Sequence, residues 1–186
     1  MNLCWIGLIG KNGAGKSTAC AYLKSRGFWV YSLSDIVRQE VQRLHLTADR
    51  DTLISTANQL KLQHGTSYFA KESISLALKA GHKQVVFDSI RHPDEAQILK
   101  DKKVYLCGID APISLRFQRI QGRHHETDLV SFETFIAQEQ RESDGESFGQ
   151  NLNKTFSFCE QVINNDQDES HLFTLLDQFI TIQCNV

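Results

Sequence analysis

The chain has 186 residues, 41% hydrophobic and 23% charged, which is enough to bury a sizeable core and typical of an ordinary globular domain. A net charge of -2 with a pI near 6.4 gives no overall basic field, which argues against a nucleic-acid or anionic-membrane partner. The five cysteines include no C-x-x-C pair, so neither a zinc site nor a disulfide framework is expected. Cys4 and Cys107 lie in apolar runs and read as small buried hydrophobes, in keeping with a reducing cytoplasm. The apolar stretch 3–9 is too short to span a bilayer and lacks the charged flank of a signal peptide.

In chain order, residues 3–9 form a continuous apolar run bounded by glycine, the pattern of a strand buried on both faces. A glycine-rich turn follows, then a helix over 17–23 and a second strand over 28–32. Ser34 is placed to cap a helix over 35–44. Residues 49–63 and 66–80 have helical apolar spacing, and 84–88 is a third strand. His92-Pro-Asp-Glu95 opens a helix with Pro93 at its first position. A fourth strand over 104–109, a helix over 113–122, another over 131–142 and a loop over 143–152 come next. A short fifth strand at 161–164 and a closing helix over 170–180 complete the chain. Strands alternating with helices predict one three-layer α/β/α domain over 1–186 with a parallel sheet, and ligands at the strands' carboxyl ends. The predicted order is 2-3-1-4-5, with the first strand central.

Gly10-Lys11-Asn12-Gly13-Ala14-Gly15-Lys16-Ser17, followed by Thr18, matches G-x-x-x-x-G-K-[ST] between a strand and a helix. The glycines let backbone N–H groups converge on phosphate oxygens, at the positive end of the following helix. Lys16 is expected to reach the β- and γ-phosphates and Ser17 to ligate Mg²⁺, which implies Mg-ATP as the bound nucleotide. Lys11 is expected to be exposed. Asp88, ending the third strand, is expected beside the loop as a second Mg²⁺ carboxylate; the alternative is an aspartate capping the next turn.

Three segments resemble the nucleoside-monophosphate kinases, of which adenylate kinase is the familiar member. Ser34-Asp35-Ile-Val-Arg38 is similar to their G-D-x-L-R, and Asp88-Ser-Ile-Arg91 with Glu95-Ala96 is similar to D-G-x-P-R followed by Q-A, one residue shorter. Arg119-Ile-Gln-Gly-Arg123 is similar to the R-I-x-G-R leading into their lid. A further resemblance covers nearly the whole chain: the P-loop kinase-like domain found alone or fused to deoxycytidylate deaminases. It rests on 33–38, on Asp88-Ser-Ile-Arg-His-Pro-Asp-Glu95, on Ile109-Asp-Ala-Pro-Ile-Ser-Leu-Arg116 and on Val162-Ile-Asn-Asn165. No deaminase signature is present.

The resemblance implies a P-loop NTPase fold with a helical acceptor cap over about 34–81 and a short lid over about 119–130. Arg38 and Arg91 would clamp an acceptor phosphate with bidentate guanidinium, and Asp35 would orient Arg38 or touch the acceptor. Arg119 and Arg123 would fold over the donor phosphates with the lid. Arg116 shares their helix face without matching the lid motif. Glu95 stands where adenylate kinases read adenine with glutamine. As a carboxylate it either accepts from a base edge offering N–H groups or is simply a first-turn acid. Gln59, Arg50 and Lys61 are further candidates for acceptor contacts, and His124 and His125 read as exposed. The expected function is ATP-dependent phosphoryl transfer to a nucleoside or deoxynucleoside monophosphate. A dephospho-coenzyme A kinase-like enzyme and a non-catalytic ATP sensor are the alternatives. Nothing in the sequence sets the oligomeric state.

Overall fold

The computed structural model describes residues 3–122, 130–143 and 150–184. The expected site residue Arg123, with His124 and His125, lies outside the described residues.

Five strands, β1 (Cys4–Gly10), β2 (Trp29–Ser32), β3 (Gln84–Ile90), β4 (Tyr105–Asp110) and β5 (Gln161–Asn164), form one parallel sheet in the order β2-β3-β1-β4-β5. All seven β1 residues are buried, because this strand is central and both of its faces are covered. Its alternation sorts two cores. Trp5 and Ile9 join Leu33, Phe69, Phe87, Leu99 and Leu106 on one face. Cys4, Ile6 and Leu8 join Leu23, Phe28, Leu172, Leu176 and Phe179 on the other.

The helices are α1 (Lys16–Ser25), α2 (Leu33–Arg43), α3 (Arg50–His64), α4 (Tyr68–Ala80), α5 (Pro93–Asp101), α6 (Ile113–Gln121), α7 (Phe132–Ser143), α8 (Leu152–Phe156) and α9 (Glu169–Cys184). α1 and α9 cover the second face, and α2 with α4 and α5 cover the first. Three details correct the sequence reading. α2 begins one residue before Ser34, with Ser32 at its N-cap and no side-chain cap bond; the Ser34 hydroxyl meets Ser32 Oγ at 2.9 Å instead. α8 forms where a loop was expected to end, started by Asn151, whose side chain accepts from the Lys154 N–H at 3.1 Å. Cys4 is not a lone buried thiol: it is disulfide-bonded to Cys184, 180 positions further along the chain, with Cα atoms 5.3 Å apart. α9 runs four residues past the expected end, which carries Cys184 back to the start of β1.

Candidate phosphoryl-transfer site

The loop between β1 and α1 lies at the carboxyl edge of the sheet, where the strand feeding it is flanked by β3 and β4. Gly13 and Gly15 carry φ of +76° and +105°, which L-residues rarely adopt. Both are also sterically closed: a Cβ on Gly13 would meet the Arg116 carbonyl oxygen at 2.4 Å, and one on Gly15 the Asn165 Nδ2 at 2.2 Å. α1 opens on Gly15 with no side-chain cap, so its first N–H donors have no intrahelical partner. That is the geometry of an anion cradle. Lys16 curls over it, donating from Nζ to the Gly10 carbonyl at 2.6 Å and the Lys11 carbonyl at 3.0 Å.

Three groups from distant elements hold the loop from behind. Arg116, 2% exposed on α6, donates from Nε to the Ala111 carbonyl at 2.7 Å and from Nη1 to the Asn12 carbonyl at 3.3 Å. Its guanidinium is paired with both carboxylate oxygens of Glu139 on α7. α7 is brought there by Phe117 packing on Phe132 and Phe135. Glu139 also takes Lys11 at 3.2 Å, so Lys11 is tied down rather than exposed as expected. Burial alone would raise the Glu139 pKa; the hydrogen bond and charge of Arg116, with Lys11 adding, outweigh it and leave it below its ordinary value. Arg116 therefore clamps the loop instead of lying on a lid face. The third group is Asn165, just past β5: its amide donates to the Ala14 carbonyl at 2.8 Å, and its own carbonyl accepts from Arg119 at 3.0 Å. Arg119 thus reaches the donor loop through one intermediary.

Asp88 lies on β3, the strand paired with the β1 strand that feeds the loop. Cys20 lies within the influence of both Asp88 and Lys16: burial pushes its thiol up to about 12, Asp88 pushes it the same way, and Lys16 pulls it down. Asp88 falls where β3 bulges against β1, since Gly7 pairs with Phe87 and Ile9 with Ile90. Ser89 inside that bulge has φ 64°, the value of a glycine; for serine this costs about 1–2 kcal/mol. Asp88 Oδ2 accepts from the Ser89 hydroxyl at 3.1 Å, while Oδ1 is buried with no partner. An orphaned carboxylate oxygen is costly unless a ligand completes it. Among the described residues no group of three or more His, Cys, Asp or Glu side chains could cage a metal. One carboxylate, the exposed Ser17 hydroxyl and a nucleotide's own phosphates are instead the donor set that suits Mg²⁺. The residues fit that ion.

The expected acceptor residues are less gathered. Arg91, half-buried beyond β3, donates to Gln150 Oε1 at 2.8 Å, and its carbonyl accepts from the Asn151 N–H at 3.0 Å. Arg38 and Asp35 are exposed on α2, as is Gln59 on α3. Arg50 begins α3. Glu95 is the clearest correction. It is 2% exposed, its Oε2 accepts from the Arg91 and His92 N–H groups at 2.9 and 3.0 Å, and its Oε1 faces Lys61 at 3.6 Å. Glu95 closes the capping box of α5, and the base-reading alternative gives way to the first-turn one. Lys61, buried against Glu95 and 5.7 Å from the Phe69 ring centre, is likewise a packing cation rather than an exposed acceptor contact. Glu139 was not singled out by sequence; Asn165 appeared only as the last residue of the resembling segment 162–165, with no role assigned to it.

This is the fold of the P-loop kinases, and the chain belongs to the AAA domain family whose model matches residues 6–147. Solved shikimate kinases share the architecture. That of Acinetobacter baumannii, in complex with shikimate, superposes with a TM-score of 0.60 at 15% identity over 96% of this chain and 93% of its own. That of Bacteroides thetaiotaomicron gives 0.57 at 14%, over 96% and 98%. More specifically, the chain belongs to the UPF0200 family. It is 34% identical over 139 residues to the UPF0200 protein of Pyrobaculum aerophilum, covering 74% of this chain and 76% of the relative. It is 28% identical over 160 residues to that of Hyperthermus butylicus, over 86% and 83%.

Proposed function

We propose that this protein is an ATP-dependent phosphotransferase whose acceptor is a nucleoside or deoxynucleoside monophosphate. The observation that carries the reading is the unpartnered buried Oδ1 of Asp88, on the strand next to the one that feeds the Lys16 loop, with Cys20 of α1 under the influence of both Asp88 and Lys16. In this reading the loop N–H groups hold the donor phosphates, and Lys16 exchanges the Gly10 and Lys11 carbonyls for β/γ-phosphate oxygens. Ser17 and Asp88 hold Mg²⁺, which supplies neutralisation of the phosphate charge. Arg91 and Arg38 grip the acceptor phosphate, and the segment over about 119–130, with Arg119 and Arg123, closes over the donor. Asp35 orients Arg38. Phosphoryl transfer asks for positioning and charge stabilisation more than covalent chemistry, and this set provides both.

The likeness to shikimate kinases in shape favours one second reading, a kinase for another small molecule such as dephospho-coenzyme A. A cytoplasmic location belongs to the proposal because ATP is its substrate; the Cys4–Cys184 pair, unusual in a reducing compartment, is the observation set against it. Among the described residues no helix is long and apolar enough to cross a membrane.

The test is ADP release from Mg-ATP across ribo- and deoxynucleoside monophosphates, dephospho-coenzyme A and shikimate. One monophosphate is expected to raise release at least about tenfold above the acceptor-free rate, as a desolvated phosphate clamp predicts. Stimulation by dephospho-coenzyme A or shikimate alone would select the second reading. Binding of Mg-ATP with no acceptor-stimulated release would leave a nucleotide sensor.

A further inference from the structure

Ser89 occupies a backbone conformation that glycine would hold without strain, and the nucleoside-monophosphate kinases resembled at this segment have glycine there. Its side chain is the visible return for that strain. The Ser89 hydroxyl donates to Asp88 Oδ2 and accepts from the Ser32 hydroxyl, each at 3.1 Å. A hydroxyl carries one proton, so Ser32, having donated to Ser89, can only accept at its 2.9 Å contact with Ser34. The protons therefore run one way, from Ser34 through Ser32 and Ser89 to the carboxylate, across the paired ends of β2 and β3, where Ser32 stands opposite Asp88. Such a chain polarises toward its anionic end. It occupies Oδ2 and leaves Oδ1 buried and unpartnered, on the strand beside the one that feeds the phosphate loop.

We propose that Ser89 is a positioning residue for the metal-nucleotide site: its hydroxyl fixes the Asp88 carboxylate so that Oδ1 alone faces the cation held with the donor nucleotide. The proposal rests on the phosphotransferase reading only in taking Asp88 as the metal carboxylate. Without the hydroxyl, the carboxylate is free to turn, and both oxygens compete for one place. The effect falls on how strongly Mg²⁺ strengthens nucleotide binding, not on nucleotide binding without metal.

Two variants separate this from a structural role, because both lose the hydroxyl but differ in strain. Ser89→Gly relieves the left-handed backbone and Ser89→Ala keeps it, so the glycine variant melts higher than the alanine one by about 2–4 °C. The ratio of ATP affinities with and without Mg²⁺, from calorimetry on the full chain, is expected to fall by a similar factor, about three- to tenfold, in both. Metal-free ATP affinity stays at the wild-type value. A ratio that follows melting temperature, or a wild-type ratio in the glycine variant, overturns the role of Ser89. A wild-type protein whose ATP affinity does not respond to Mg²⁺ overturns the assignment of Asp88 itself, and Ser89 with it.

Discussion

The two halves of the site are held by different means. The donor side is fixed from behind: buried Arg116 holds the Asn12 carbonyl, buried Asn165 the Ala14 carbonyl, and half-buried Glu139 pairs with both Arg116 and Lys11. The acceptor side offers Arg38 and Asp35 exposed on α2, and Arg91 on a loop steadied by Gln150 and Glu95. Buried, hydrogen-bonded scaffolding makes the phosphate loop rigid before any ligand arrives. Exposed long side chains keep their rotamer freedom and lose it only when a ligand binds. In the proposed reading the donor half recognises one invariant group, a triphosphate. The acceptor half is built to be completed by what it binds.

That contrast can be broken most directly at Lys16. Lys16→Ala is expected to weaken Mg-ATP binding about a hundredfold or more with the fold intact, because no solvent group replaces its charge on the phosphates. Calorimetry at wild-type affinity would falsify the donor assignment. Next in size, Arg116→Ala should destabilise the protein by about 3 kcal/mol in urea unfolding, since it leaves Glu139 paired only with Lys11. Its ATP affinity should fall as well; an unaltered unfolding midpoint would show that the clasp is decorative.

Arg91→Ala should raise the acceptor KM by roughly ten- to a hundredfold and leave ATP binding unchanged. Equal losses for both substrates, in kinetics with both varied, would erase the distinction between the halves. The smallest effect is one of pH. The Glu139 pKa is held below its ordinary value of 4.5 in the folded protein. Its contribution is complete above the unfolded value and fades as pH falls through the lower folded one. Glu139→Gln should therefore flatten the acid limb of the stability curve below about pH 4.5. An acid limb as steep as that of the wild type would mean that Glu139 is not the group being titrated.

The same contrast decides what sequence can disclose. The loop was legible because its chemistry is local: eight successive residues, a strand before and a helix after. Sheet order followed from alternation and from that strand's apolar run. The clasp was not legible, because Asn165 lies 151 residues from the Ala14 carbonyl it holds, and Glu139 lies 23 from Arg116. Helical spacing put Arg116 and Arg119 on a common face but could not say which way that face turned. Glu95 carried two readings because a first-turn acid serves a capping box and a ligand equally well until its partners are seen. At Ser89 only the resembled D-G-x-P-R, with glycine in its place, pointed to a positive φ, because the serine itself carries no such signature.

The Cys4–Cys184 bond closes a covalent ring between positions 180 apart in the chain. A pulling force applied between residues 3 and 184 would pass through that one covalent link and leave the sheet unloaded. With the link reduced, the same pull would begin at the edge of β1, the strand that carries the glycine-rich loop. Tension on a single molecule, with and without reductant, would then distinguish a protein that resists as a bond from one that resists as a fold.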